Sequence, residues 1–380
     1  MMLHRAIYAG AAQNKTGKLN GDNGMTDTAT PSRRKRTARF IEIAEAAGVS
    51  PATVDRVLNE RGSVSAATRA RVVAAARQLA IPRVLPDTRH GLMHVDVLLP
   101  QNSTPFFGRL NLALQRSMQM LDKRVVMHRS VLSEADDDVI TNAILHPRYK
   151  RSGLIVTTHD TPRVRDALRT VIERGEPVVT MVTDVRDVAR LHYAGIDNVS
   201  AGRTAGYFVG RLAGRAGRVL LLCSRKDYRA HIDRIGGCRA QLATWFPDLV
   251  CDNAEVETGD NPDWCYRAVV SALKRGELVG IYNSGYGSPG IEAALRKFGA
   301  AGKVVWVSHE MLDLHRKYIE EHTMDIAIDQ DPDGQVISAL QHVLHACGVV
   351  EDAPPPGPVE FRIFCPANVR RTAYLPSLPD

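Results

Sequence analysis

Ala52, Thr53, Asp55, Arg56 and Asn59 fall within eight residues of one another. Between them they carry a planar cation, a carboxylate, an amide and two small methyl-bearing side chains, the groups that read the edges of base pairs. Arg56 suits a guanine edge or a phosphate, Ala52 and Thr53 a thymine methyl or a phosphate, and Asn59 the DNA backbone. Asp55 could accept from a cytosine amino group or orient Arg56. Ser50, Ser65 and Arg69 complete the candidate DNA contacts.

Such side chains need a rigid element to present them. Ile41, Ala44 and Ala47 keep helical spacing, Gly48 can end a helix in the left-handed conformation, and Ser50-Pro51 supplies an N-cap and a first-turn proline. The second helix then runs to about Asn59. Ala44, Val49, Val54, Val57 and Leu58 can close a small core between the two helices. A third helix follows, capped by Ser65, with Val64, Val72, Val73, Ala76 and Leu79 as its apolar stripe and Arg69, Arg71 and Arg77 on the wet side. From Arg33 to Arg83, eleven Lys and Arg face four acidic residues, an excess of seven that equals the formal net charge of the whole chain. Charge concentrated on one motif is the footprint of a phosphate-binding surface. The run Arg33-Arg34-Lys35-Arg36 reads as a basic arm on phosphate or in the minor groove, or as a solvated leader.

This segment resembles the DNA-binding headpiece of the LacI family. The pattern I-A-x-x-A-G-V-S-x-x-T-V-x-R-V-L-N spans Ile43 to Asn59, and V-S-x-x-T-R-x-R-V spans Val64 to Val72. The resemblance implies a sequence-specific regulator that binds a double-stranded operator as a homodimer. In the family a short hinge helix follows and wedges an apolar side chain into the minor groove. Here Ile81 to Gly91 must serve, with prolines at 82 and 86 and too few residues for a comfortable helix. Leu85 is the side chain that could wedge, and otherwise coupling passes through an extended linker.

At 380 residues the chain suits two or three domains. From Val95 onward short apolar runs alternate with helical patterns. The expected strands are 95–99, 125–128, 153–157, 178–182, 193–196, 218–223, 250–255, 279–282, 304–307 and 324–328. Helices are expected at 107–121, 164–174, 202–213, 234–245, 265–275 and 289–298. Alternation of this kind predicts parallel, doubly wound sheets, and so many strands predict two lobes with a ligand cleft at the carboxyl ends of the strands. Six cysteines without a CxxC pair suggest neither zinc nor a disulfide framework. No run approaches a membrane span and no signal peptide is evident, which predicts a cytoplasmic protein. The first 32 residues lack periodicity and read as disordered, with Met25 an alternative start.

Residues from about 94 to 375 resemble the type I periplasmic sugar-binding fold that LacI-family regulators carry behind the headpiece. The fold class is therefore a small all-α helix-turn-helix domain followed by an α/β two-lobed periplasmic-binding-protein-like domain with parallel doubly wound sheets. Thr104-Pro105-Phe106-Phe107 stands where the ribose-binding branch has Asn-Pro-Phe-Phe, with aromatics stacked on the sugar. The resemblance also points to Asp184, to Asp197 in the D-N-x-x-A-G-R pattern, to Arg234 in R-x-x-G-aromatic (Cys238 replaces the aromatic), and to Asn283, Glu310 and Gln330 of Q-D-P. Carboxylates, a guanidinium and amides of this kind form a polyol-binding set. Asp197 has a structural alternative, closing the turn into the next helix, and Trp264 is a candidate extra stacking wall. Thr104, Val185 after Asp184, and Glu310 in place of Asp depart from the family and imply a retuned pocket for a sugar, sugar acid or cyclitol.

The expected organisation is a leader with basic arm at 1–36, the helix-turn-helix domain at 37–81, a linker at 82–92 and an effector domain at 93–376. Its first lobe takes about 93–198 plus 330–350, and its second about 199–328 plus 358–376. A solute-binding protein for a transporter is the alternative reading, opposed by the headpiece. An enzyme is not expected. His309-Glu310 with His315 lacks the spacing of zinc peptidases, and Gly285 to Gly290 lacks the ends of a P-loop or a hydrolase elbow. No cofactor, metal or membrane partner is expected. The reading is a transcription regulator, a repressor, controlled by a small polar effector.

Overall fold

The structure, a computed structural model, describes residues 32–59, 61, 64–79, 92–252 and 255–369. The expectations for the leader before residue 32 and for the linker around Leu85 lie outside the described residues. The chain divides into two compact units, 1–91 and 92–380.

The first unit holds α1 (Ser32–Ala47), α2 (Pro51–Leu58) and α3 (Ala66–Gln78). The basic run expected as an arm forms the opening turns of α1 instead. Arg and Lys are strong helix formers, so nothing stops the helix at residue 37. Gly48 adopts φ 62°, and Val49 N–H closes onto Ala44 C=O at 2.9 Å to terminate α1. Ser50 then caps α2 by accepting from Thr53 N–H. The core gathers Ile43, Ala44, Ala47, Val54, Val57, Leu58, Val72, Val73 and Ala76. Ile41, which keeps helical spacing with Ala44 and Ala47, is 44% exposed, and Leu79, expected on the apolar stripe of α3, is 41% exposed.

In the second unit, β1 (Met93–Pro100), β2 (Val125–Leu132), β3 (Gly153–Val156), β4 (Val178–Met181) and β5 (His192–Ala194) form a parallel sheet in the order β2-β1-β3-β4-β5. One face packs against α4 (Pro105–Met120) and α12 (Pro332–Ala346), the other against α5 (Asp137–Leu145) and α6 (Pro162–Glu173). The second sheet contains β6 (Gly217–Cys223), β7 (Leu249–Cys251), β8 (Val256–Glu257), β9 (Leu278–Asn283), β10 (Val305–His309), β11 (Ile326–Asp329) and β12 (Arg362–Phe364). Its order is β12-β11-β10-β9-β6-β7, with β8 beside β6 and β12 antiparallel to β11. Here α7 (Asn198–Ala213) and α8 (Arg229–Trp245) cover one face, and α9 (Pro262–Arg275), α10 (Ser288–Lys297) and α11 (Asp313–Glu320) the other.

The strand expected at 250–255 is instead β7 and β8, separated by a break that begins at Asp252. The chain passes between lobes after β5, after β11 and after α12, and the first and third passages pair through Ile196 and Val359. Two α/β lobes joined this way present the carboxyl ends of β1, β4, β6, β9 and β10 to one shared cleft.

Candidate functional site

On α2, Ala52 and Arg56 are exposed, while Thr53, Asp55 and Asn59 are half-buried. Asn59 Nδ2 donates to Asp55 Oδ1 at 2.6 Å, so the Asp55 carboxylate is held by Asn59 one turn along. Ser50 and Ser65 are exposed, and each is engaged as a helix cap, Ser65 accepting from Thr68 N–H at 3.2 Å. Arg69 departs from the expectation: it is fully buried. Positions 69, 72, 73 and 76 share one helical face, which puts Arg69 in line with Val72, Val73 and Ala76 rather than on the wet side.

The cleft between the two lobes has a volume of about 450 Å³. Pro105 starts α4 and Thr104 is its N-cap, which delivers Phe106 and Phe107 to the cleft with their rings edge to face at 5.4 Å. Arg234, Glu310 and Gln330 also line it. Val182 and Glu310, at the ends of β4 and β10, hold φ of 70° and 73°. Positive φ is uncommon at any residue but glycine and strained at β-branched Val182, and here both positions face the cleft.

A continuous hydrogen-bonded chain underlies these residues. Tyr193 O–H donates to Val182 C=O at 3.0 Å and accepts from Asn198 Nδ2 at 2.8 Å. Asn198 Oδ1 accepts from Arg234 Nε at 2.7 Å. Arg234 Nη1 donates to Ser284 C=O at 2.9 Å and Nη2 to Gln330 Oε1. Gln330 Nε2 donates to Glu310, whose other oxygen accepts from Arg109 Nη1 at 3.2 Å. Arg109 belongs to α4, so the chain begins and ends in the first lobe and passes through the second. Burial, with Asp329 close by, pushes the Glu310 carboxyl up to about 8. Burial and the Arg234 charge hold His231 down to about 3, and the same causes put His309 well below its usual range. Both imidazoles are therefore neutral.

Hydrogen bonds between the lobes run beside the cleft. Glu134, after β2, accepts from Arg225 Nη1 at 3.2 Å and from Tyr228 O–H. Asp160 N–H donates to Asp227 C=O at 2.9 Å, and Ala230 N–H to Thr183 Oγ1 at 3.1 Å.

The other expected effector residues do not line this cleft. Asp197 caps α7, accepting from Ser200 N–H at 2.9 Å. Asp184 secures its own loop, accepting from Thr180 Oγ1, Val185 N–H and Arg190, and faces a separate groove. Asn283 is buried and shapes the loop after β9, donating to Tyr286 C=O at 3.0 Å. Trp264 is 56% exposed, on the outer side of the first turn of α9.

Residues 40–81 match the profile of bacterial regulatory proteins of the lacI family, and residues 95–347 match that of the periplasmic binding protein domain. The chain belongs to the periplasmic binding protein domain family and carries a lacI-family DNA-binding segment at 40–81. The HTH-type transcriptional regulator reg1 of Streptomyces lividans is 41% identical over 71 residues, 19% of this chain and 21% of the relative. The ribose operon repressor of Bacillus subtilis is 41% identical over 78 residues, 19% of this chain and 23% of the relative. The matched segments span between 21% and 32% of the length of these curated relatives. An ABC transporter solute-binding protein from Burkholderia graminis, solved with D-arabinose, superposes with a TM-score of 0.67 at 20% identity over 75% of this chain and 99% of that one. That likeness shows the fold of the second unit.

The cleft of this periplasmic-binding-protein-like domain is lined with further groups that sequence reasoning passed over: Asn102 after β1, Arg225 and Tyr228 after β6, Asp260 after β8, and His309 as the last residue of β10. Each lies at a strand end, so the rule that sends ligands to strand ends could have found them. Arg109 carries no such signal. No helix among the described residues is long and apolar enough to cross a membrane, and no described cluster of His, Cys, Asp or Glu could hold a metal ion.

Proposed function

We propose that this chain is a one-component transcription regulator, a repressor, whose homodimer binds a near-palindromic operator through α2 and whose cleft binds a small polyhydroxyl effector. The observation that carries the reading is the union, in one chain, of a capped helix-turn-helix displaying Arg56 and Ala52 with a two-lobed domain whose cleft pairs Phe106 and Phe107 with Arg234, Glu310 and Gln330. Aromatic faces accept the C–H side of a sugar ring, and a set of amides, carboxyl and guanidinium meets its hydroxyls. The relatives named as ribose and sucrose operon repressors support the effector class. Solved neighbours holding D-arabinose, D-allose and myo-inositol support it too. A DNA partner supports a cytoplasmic protein, and the reading needs neither cofactor nor catalysis.

The test is selection of the full chain on a random duplex pool, followed by a thermal-shift and DNA-release screen against pentoses, hexoses, sugar acids and cyclitols. Enrichment of a two-fold symmetric site, and its release or tightening by a compound that raises the melting temperature, is expected. Sugar binding without any enriched DNA would return the chain to the solute-binding class.

A further inference from the structure

The guanidiniums in and behind the cleft are already engaged by groups of the protein. Arg109 is claimed by Asp329, at 2.5 Å. Arg225 is held by Asp227 and by Glu134. Arg234 spends its fork on Asn198, Ser284 and Gln330, and the Asp260 carboxyl is the charge set against it. Asp260 and Glu310 themselves line the cleft. An anionic ligand would meet the Asp260 carboxylate with no free guanidinium fork to receive it, in a confined site where charge is poorly screened.

The unspent donor of the cleft is neutral. His309 is 2% exposed, and its Nδ1 has no partner among the described residues. Its Nε2 lies 2.8 Å from the hydroxyl of Tyr282, a fully buried residue. The buried Tyr282 hydroxyl keeps its proton and has no other acceptor shown, so it donates to Nε2 and leaves the hydrogen on Nδ1. A buried donor without an acceptor costs free energy that a ligand oxygen restores.

Resting on the sugar reading above, we infer that the cleft selects an uncharged polyhydroxyl compound and excludes its carboxylate and phosphate counterparts, with Asp260 supplying the exclusion and His309 Nδ1–H donating to a ligand oxygen. The sugar acids within the wider effector class are thereby set apart from the sugars and cyclitols.

The experiment is calorimetric titration of the full chain at pH 7.5 with matched pairs: D-galactose and D-galacturonate, D-ribose and D-ribose 5-phosphate, D-arabinose and D-arabinonate, myo-inositol and its monophosphate. At least one neutral member should bind, with its anionic partner at least about 100-fold weaker, which is close to 3 kcal/mol. Asp260→Asn should narrow that gap about tenfold, and His309→Phe should weaken the neutral ligand about tenfold while keeping the gap. Equal or tighter binding of an anionic member overturns the inference and leaves the sugar reading standing. A gap unchanged by Asp260→Asn also overturns it. Silence from every pair, with the protein folded, overturns the sugar reading and this inference with it.

Discussion

Arg109 straddles the carboxylate of Asp329, Nη1 to Oδ2 at 2.5 Å and Nη2 to Oδ1 at 3.2 Å, and so ties a helix of the first lobe to the last residue of β11 in the second. Asp329 is 2% exposed and also accepts from the backbone of Met311 and Asp331. The pair therefore braces the passage from β11 into α12.

Removing the cation would leave two buried carboxyls, Asp329 and Glu310, facing each other. Arg109→Met should cost about 3–5 kcal/mol in urea unfolding of the full chain, the usual loss when one partner of a buried pair is deleted. A loss below about 1 kcal/mol would show that water already screens the pair.

Glu310 gives a pH test. Its carboxyl titrates near 8 in the folded chain, above its ordinary 4.5, so the folded state holds the proton more tightly than the unfolded one. The associated stability is full below about pH 4.5 and is lost as pH rises through 8. Glu310→Gln removes that loss. Measured against the native chain, the variant's melting temperature should gain progressively from pH 5 to pH 8.5, by the equivalent of roughly 1–3 kcal/mol. A constant difference across that range would mean Glu310 titrates normally.

A methyl group at Gly202 would overlap the carbonyl oxygen of Arg234, because α7 and α8 touch backbone to backbone there. Gly237 meets Val199 C=O in the same way from the other helix. Gly202→Ala should cost about 1–3 kcal/mol in unfolding experiments by forcing the helices apart. It should also weaken ligand binding more than DNA binding, since Arg234 rides on α8. Equal loss of both would mean general unfolding rather than a displaced Arg234.

For the headpiece, Arg56→Ala should relax preference at one position of each half-site at roughly 1–3 kcal/mol per contact, read by competition among single-base operator variants. Uniform weakening on all sequences would make Arg56 a phosphate clamp.

The family resemblance brought Phe106, Arg234, Glu310 and Gln330 to one place, and for Phe106, Glu310 and Gln330 the reason is that in a doubly wound sheet sequence position after a strand nearly dictates spatial position. The same reasoning misplaced Asp184, Asp197 and Asn283. A strand end is also where a chain must turn, and these three spend their oxygens on backbone N–H groups of the turns themselves. Arg109 was illegible since its role depends on a partner 220 residues away. Arg69 was misread for a simpler reason: charge outweighed its position on the apolar face of α3. The three-residue β12 was too short and too exposed to leave a pattern.

Because Glu134 bridges to Arg225 and Tyr228 between the lobes beside the cleft, an occupant that needs the lobes to part can arrive or leave only as those bonds break. Arrival and departure are then slowed together. Residence time and affinity become separable properties: the floor residues decide how strongly an occupant is held, and the bonds between the lobes decide how quickly the protein learns that its surroundings have changed. Salt, which loosens the Glu134–Arg225 pair more than the buried floor, would hasten that response while moving the equilibrium little.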